Sequence, residues 1–131
     1  MAKLRHVAMS VPDPVATAKF YKETFGMEIV GETDSPLASG IYLTDGTISL
    51  ALLNYKADEW AGMDKDAVCI NHIGFWVDDL DKQGEKVLEN GGTFFKELPT
   101  SKTSLYYEMK YRDPNGVIFD ISHNGWVGAK K

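Results

Sequence analysis

Three residues in this sequence have the side chains and the placement to hold a metal ion: His6, His72 and Asp120. The histidines occupy matching places in two related stretches. These are Leu4-Arg5-His6-Val7-Ala8-Met9-Ser10-Val11-Pro12-Asp13 and Ile70-Asn71-His72-Ile73-Gly74-Phe75-Trp76-Val77-Asp78-Asp79. At an offset of 66 the stretches share the histidine, the apolar residue after it, a small residue, a valine (11 and 77) and an aspartate (13 and 79). The same offset later pairs Gly26 with Gly92. Asp120 is an acid inside the apolar run Val117-Ile118-Phe119-Asp120-Ile121. A lone buried carboxylate is costly unless it is paired or bound to a metal. A single histidine on an apolar strand is ordinarily a hydrogen-bonded core residue. Two in matched positions, with a carboxylate facing the same space, favour ligation. Two imidazoles and one carboxylate form a facial triad, which leaves coordination positions open for substrate or oxygen.

Other candidates carry less. His123 lies on the opposite parity from Asp120, beside Asn124-Gly125, and reads as a surface residue. Glu108 is expected to be solvated or to sit behind the ligands, since nothing in the sequence pairs with it. Tyr106, Tyr107 and Tyr111 suit core or cavity lining, with Tyr107 and Tyr111 as candidates for substrate contact. Trp60 and Met63 could cover a cavity mouth or simply pack. Cys69, the one cysteine, opens an apolar strand and reads as an inert thiol.

Local signals place these residues on two βαβββ units. The first runs from about residue 3 to 55, the second from about 69 to 123, with a linker at 56–68 and a tail at 124–131. Residues 4–11 are apolar and strand-like. Asp13 then offers an N-cap and Pro14 a first helical residue, where its missing N–H costs nothing. Ala18, Tyr21 and Phe25 share a face and Gly26 supplies the stop. A strand over 27–32, a loop over 33–40, and two strands around Asp45-Gly46 complete the unit. The second unit repeats the order, with a strand at 70–77, a helix capped by Asp79 and ended by Gly91-Gly92, and strands at 93–97, 105–111 and 117–122. The last two flank Asp113-Pro114-Asn115-Gly116, which suits a type I turn. Neither unit can bury a sheet face alone, so the economical α+β solution wraps both around a shared concave space with helices outside. His6 and His72 then face each other across it.

Length and composition bound the rest. At 131 residues, 44% hydrophobic and 25% charged, the chain has the make-up of one folded domain. A net charge of −5 without a Lys/Arg cluster argues against nucleic acid as a partner. No long apolar segment suggests a signal peptide or a membrane span, and one cysteine suits a reducing compartment, so a cytoplasmic protein is expected.

The paired units, a histidine in each opening strand and the Asp-Pro-Asn-Gly-x-x-x-acid ending together resemble the vicinal oxygen chelate superfamily over about residues 3–123. That superfamily holds glyoxalases, bleomycin- and fosfomycin-resistance proteins, methylmalonyl-CoA epimerases and extradiol dioxygenases. The resemblance implies the glyoxalase/bleomycin resistance/dioxygenase fold and ligands from the opening and closing strand of each unit, which are His6, His72 and Asp120 here. Where glyoxalase-like members usually offer a fourth ligand, this sequence has Ser49, Leu50 or Ala51. Near the place of their glutathione-binding arginine it has Ser10, and their terminal glutamate is the shorter Asp120.

A three-ligand site implies a divalent ion, Fe2+ or Mn2+ ahead of Ni2+, Co2+ or Zn2+, and dioxygenase-like chemistry on a small oxygen-chelating substrate. The alternatives are a glyoxalase- or epimerase-type lyase or isomerase, for which no base could be named, and a metal-free binding protein of the bleomycin-resistance kind. In that last case Trp76, Tyr107 and Tyr111 would line the cavity. Epoxide opening by a thiol fits less well, because no basic cluster awaits a phosphonate. A homodimer is the expected assembly, in which the histidines could meet within one chain or across two.

Overall fold

A computed structural model describes residues 1–131. Its elements in chain order are β1 (Lys3–Ser10), α1 (Pro14–Phe25), β2 (Glu28–Asp34), β3 (Ala38–Thr44), β4 (Ser49–Tyr55) and α2 (Asp58–Ala61). There follow β5 (Cys69–Trp76), α3 (Leu80–Glu89), β6 (Thr93–Glu97), β7 (Met109–Arg112) and β8 (Ile118–Ser122). The strands form one mixed sheet in the order β2-β3-β4-β1-β5-β8-β7-β6. Each unit contributes four neighbours, and the two join where β1 runs antiparallel to β5. This places the histidine-bearing strands side by side at the centre, within one chain.

The helices start and stop where the sequence provides for it. The Asp13 carboxylate accepts from the Ala16 N–H at 3.1 Å, and Gly26 closes α1 in the left-handed conformation at φ 71°. Asp79 does the same for α3 through the Lys82 N–H at 3.0 Å. Alternation then sorts the two faces of the sheet. Val11, Leu43, Leu50 and Leu52 pack against Ala18 of α1, and Val77, Tyr111 and Ile121 form a second cluster with Leu80 and Val87 of α3. Burying Leu43 and Leu52 completely contributes about 1.5–3 kcal/mol each. Both helices lie on the convex side. The concave side collects His6, Tyr42, Ala51, His72, Lys110 and Asp120.

Two expectations are corrected. Thr33, Asp34 and Ala38–Gly40 are not loop but strand. The turn chemistry is concentrated in Ser35-Pro36-Leu37, where the Ser35 hydroxyl accepts from Leu37 N–H at 3.2 Å and the Ser35 N–H reaches Ala38 O at 3.0 Å. Conversely, Leu105–Glu108 does not belong to β7. Its neighbourhood is tied down by turns and by the tail, with the Asn124 amide donating to the carbonyls of Lys102 (2.8 Å) and Ser104 (2.9 Å) in place of a ladder. No helix is long and apolar enough to cross a membrane.

Candidate metal centre

The concave face encloses a cavity of about 490 Å3, and His6, His72, Glu108 and Lys110 are among its lining residues. His6 comes from β1, His72 from β5 and Asp120 from β8, all essentially inaccessible to solvent. Their ligand atoms lie within 4.8 Å of one another. His6 Nε2 and His72 Nε2 are 3.3 Å apart, His72 Nε2 is 2.9 Å from Asp120 Oδ2, and His6 Nε2 is 4.0 Å from the same oxygen. Two ligands held at about 2.1 Å from one ion stand roughly 3–3.5 Å apart at tetrahedral or octahedral angles and at most about 4.2 Å apart when opposed, so all three separations admit one cation.

The polar atoms also lack other partners. Asp120 Oδ2 accepts no hydrogen bond. The imidazoles are neutral at pH 7. Burial, reinforced by His72, drives the His6 pKa down to about 3, and burial likewise holds His72 well below its ordinary value. Two neutral rings and a carboxylate oxygen thus converge with nothing positive between them. A divalent cation fits that space by donor type, spacing and charge.

Lys110 sets the rest of the electrostatics. Its ammonium donates to Asp120 Oδ1 at 2.8 Å and to Glu108 Oε2 at 3.3 Å. Burial alone would discharge it, but the two carboxylates outweigh that and hold it protonated, above its ordinary value. With Oδ1 taken, Asp120 has only Oδ2 to offer the cavity. Glu108 accepts a further bond from Trp126 Nε1 at 2.9 Å, and burial and Asp120 raise its pKa. Trp126 in turn stacks on His6 at 4.7 Å and an interplanar angle of 5°, so the tail anchors both a ligand ring and the inner carboxyl.

Comparison with known proteins identifies the fold that carries these residues. A family profile, the Glyoxalase/Bleomycin resistance protein/Dioxygenase superfamily, matches residues 3–121. The chain belongs to that superfamily. A lactoylglutathione lyase from Haemophilus influenzae is 25% identical over 133 residues, spanning 93% of each chain. Solved structures of like fold include a hypothetical protein from Bacillus halodurans (TM-score 0.73, 21% identity, 92% of both chains). A methylmalonyl-CoA epimerase from Streptomyces coelicolor is similar as well (TM-score 0.72, 18% identity, 91% of this chain and 94% of that one). At these identities the structural matches speak to fold alone.

Strand register shows which residue of the first unit is the counterpart of Asp120. In the second unit Asp120 pairs with Gly74, two residues beyond His72. In the first unit the residue two beyond His6 is Ala8, and it pairs with Ala51. Of Ser49, Leu50 and Ala51, the counterpart of Asp120 is therefore Ala51, a methyl group facing the cavity. By the same logic Lys110, across from Asp120, corresponds to Tyr42, across from Ala51. One unit offers a carboxylate with its ammonium; the other offers a methyl group with a phenol.

The remaining candidates fall on both sides of the sheet. Tyr107 and Tyr111 lie outside the main cavity and line a shallower groove against α3. The Tyr107 hydroxyl donates to Glu97 at 2.6 Å, which pushes its pKa up to about 12. The cavity's aromatic residues are instead Tyr42, Tyr55, Trp60 and Tyr106, and neither Trp76 nor Met63 is among its lining residues. His123 is exposed and Cys69 half-buried. Glu108 is not solvated, because Lys110 pairs with it. The signal was present in Glu108-x-Lys110, two charges at period 2 beside a strand carrying an acid that needs a cation.

The buried histidines make the metal-free protein acid-sensitive. Both rings bind protons more weakly folded than unfolded, so stability is full above the unfolded value of 6.5 and falls as pH drops toward about 3. Glu108, whose folded pKa is raised, acts in the opposite sense on the acid side of neutrality. Two histidines against one carboxyl leave a net loss of stability as pH falls below 6.5, at most about 2.7 kcal/mol per pH unit from the two rings and less by whatever Glu108 offsets. Urea unfolding at pH 7, 6 and 5 is expected to show that loss, and a flat profile would refute the neutral-histidine assignment.

Proposed function

We propose that the protein is a metal-dependent enzyme that transfers a proton at a carbon next to a metal-chelated oxygen, as a lyase, isomerase or epimerase does. The observation that carries this reading is Glu108, a buried carboxyl lining the cavity beside His6, His72 and Asp120. It supplies the base that sequence reasoning could not name. Its environment favours proton exchange: burial raises its affinity for a proton, and the Lys110 ammonium keeps the ionised form accessible. A divalent ion held by His6, His72 and Asp120 would act as a Lewis acid, stabilising the oxyanion that develops when the proton leaves. Tyr42 and Tyr55 stay neutral, since burial raises both pKa values. Tyr42 can donate a hydrogen bond to a substrate oxygen, whereas the Tyr55 hydroxyl already donates to Asn71 Oδ1.

The cavity also favours a substrate class. Its walls include Pro36, Leu37, Leu53, Trp60 and Leu98, and its sole basic residue, Lys110, is already shared by two carboxyl groups. That suits a compact, mostly apolar molecule with two adjacent oxygens better than an extended polyanion. The lyase and epimerase names among the relatives support the reaction class, without carrying their substrates over.

Oxygen chemistry remains as a second reading because of Ala51. With a methyl group at the counterpart of Asp120, an ion held by His6, His72 and Asp120 would have one more open position than a site with four protein ligands. The two readings separate in solvent D2O. Exchange of deuterium into α-oxygenated carbonyl compounds supports proton transfer, whereas oxygen uptake with catechols supports the dioxygenase. Under the first reading, Glu108→Gln should lower kcat about 10²–10⁴-fold while the metal content stays at wild-type level. Full activity in that variant would remove Glu108 from the chemistry.

A further inference from the structure

β5 contains an irregularity directly at the site. Ala8 pairs with His72 but the next residue, Met9, pairs with Ile70, so Asn71 is an extra residue in a β-bulge. A bulge breaks the alternation of side chains and re-aims one of them. Here Asn71 and His72, adjacent in sequence, are both buried on the same side, at 4% and 3% exposure. The Asn71 amide then meets the imidazole edge on, with Oδ1 2.6 Å from His72 Nδ1.

The neighbours fix which way the amide points. Its Nδ2 donates to the Ala61 carbonyl at 3.0 Å, at the end of α2, and a carbonyl can only accept. The Tyr55 hydroxyl donates to Oδ1 at 3.2 Å and stands 3.5 Å from Nδ1 itself, a longer contact than the 2.6 Å amide–imidazole bond. Oδ1 therefore faces the ring as an acceptor, and Nδ1 must carry the proton. The bare nitrogen of a neutral His72 is then Nε2, the atom aimed at His6 and Asp120. His6 has no such partner, since its Nδ1 is without a hydrogen bond. The matching bulge in β1 falls at Arg5, which donates outward to Lys130 O.

We infer that Asn71 is a positioning residue that locks His72 into the Nδ1–H tautomer and so keeps Nε2 available as a ligand. Without it, the ring's most favourable bond in the metal-free protein would run from Nε2–H to Asp120 Oδ2, 2.9 Å away. The ring would then have to lose that proton before it could ligate. The linker helix and Tyr55 thereby act on the site through one amide. The affinity consequence rests on the metal reading above; the tautomer does not.

The test uses metal-free full-length protein with 15N-labelled histidine, and long-range proton–nitrogen spectra that report which ring nitrogen is protonated. In wild type, His72 Nδ1 is expected to be protonated. In Asn71→Leu the proton should move to Nε2, and Zn2+ affinity should fall about 10–100-fold. Asn71→Asp keeps an acceptor at Oδ1 and should restore both the tautomer and most of the affinity. A purely structural role predicts no such rescue. Should Asn71→Leu fail to fold, Asn71→Ser carries the comparison, because its side chain is too short to reach the ring. A bare Nδ1 in wild type, or unchanged tautomer and Zn2+ affinity in Asn71→Leu, would overturn the inference. A protonated Nδ1 in a wild-type protein that takes up no metal would sink the metal reading and leave the tautomer assignment standing.

Discussion

Anaerobically purified protein is expected to carry about one divalent ion per chain, and His72→Ala to lose it. His72 Nε2 stands 2.9 Å from Asp120 Oδ2 and 3.3 Å from His6 Nε2, at the shared corner of the triangle. Removing it leaves two donors 4.0 Å apart, one of which shares its carboxylate with Lys110. Changes behind the ligands typically cost 10–100-fold in affinity, so loss of a ligand itself should exceed roughly 100-fold. Activity should fall with it. The fold should survive, because Lys110 still neutralises Asp120 and the helix-facing clusters are untouched. Metal analysis and titration with Co2+ or Zn2+ decide the matter. A variant binding one equivalent as tightly as wild type would mean the ion sits elsewhere. A wild type that neither contains nor takes up metal would leave the cavity as a binding site for a small apolar molecule. The identity of a bound ion would further separate oxygen chemistry from Lewis-acid chemistry.

Lys110→Met should be the most destabilising single change near the site. Lys110, Glu108 and Asp120 are all buried, and the Lys110 ammonium is the cation that both carboxyl groups share. Replacing such a group by hydrophobic residues wholesale can be neutral, but removing one partner leaves an uncompensated buried charge, at about 3–5 kcal/mol. For a chain of this length that corresponds to a fall in Tm of roughly 10–20 °C. Asp120→Asn in the same background should recover much of the loss, since the stranded charge is removed, and the double-mutant cycle should show strong coupling. A cost below about 1 kcal/mol for Lys110→Met would mean that water or a cation already compensates Asp120, and that the ammonium is not its essential partner. The prediction concerns metal-free protein; a bound divalent ion should mask part of the effect.

Much of the candidate site was legible because repetition carries positional information. A histidine at one place of each copy implies that both lie on one face of a two-unit sheet, and parity adds Asp120 from the closing strand. The helix limits were legible for a local reason: Asp13, Pro14, Gly26 and Asp79 act within one turn of where they stand. The extent of β2 and the late start of β7 were not, because there the backbone's partners are the opposite strand and the tail rather than sequence neighbours. Glu108 and Lys110 were present as a period-2 pair, yet only the pairing of Lys110 with Asp120 across two strands turns them from surface charges into the electrostatic floor of the cavity. The choice of Ala51 among three candidate positions required the parallel register of β1 and β4. Asn71 marks the limit most clearly. Alternation places it opposite His72, and a bulge against β1 places it beside. Sequence by itself determined which residues could ligate and the units that bear them. Tertiary structure decided which charges neutralise one another and which nitrogen of His72 faces the site, because pairing register and burial depend on residues far apart in the chain.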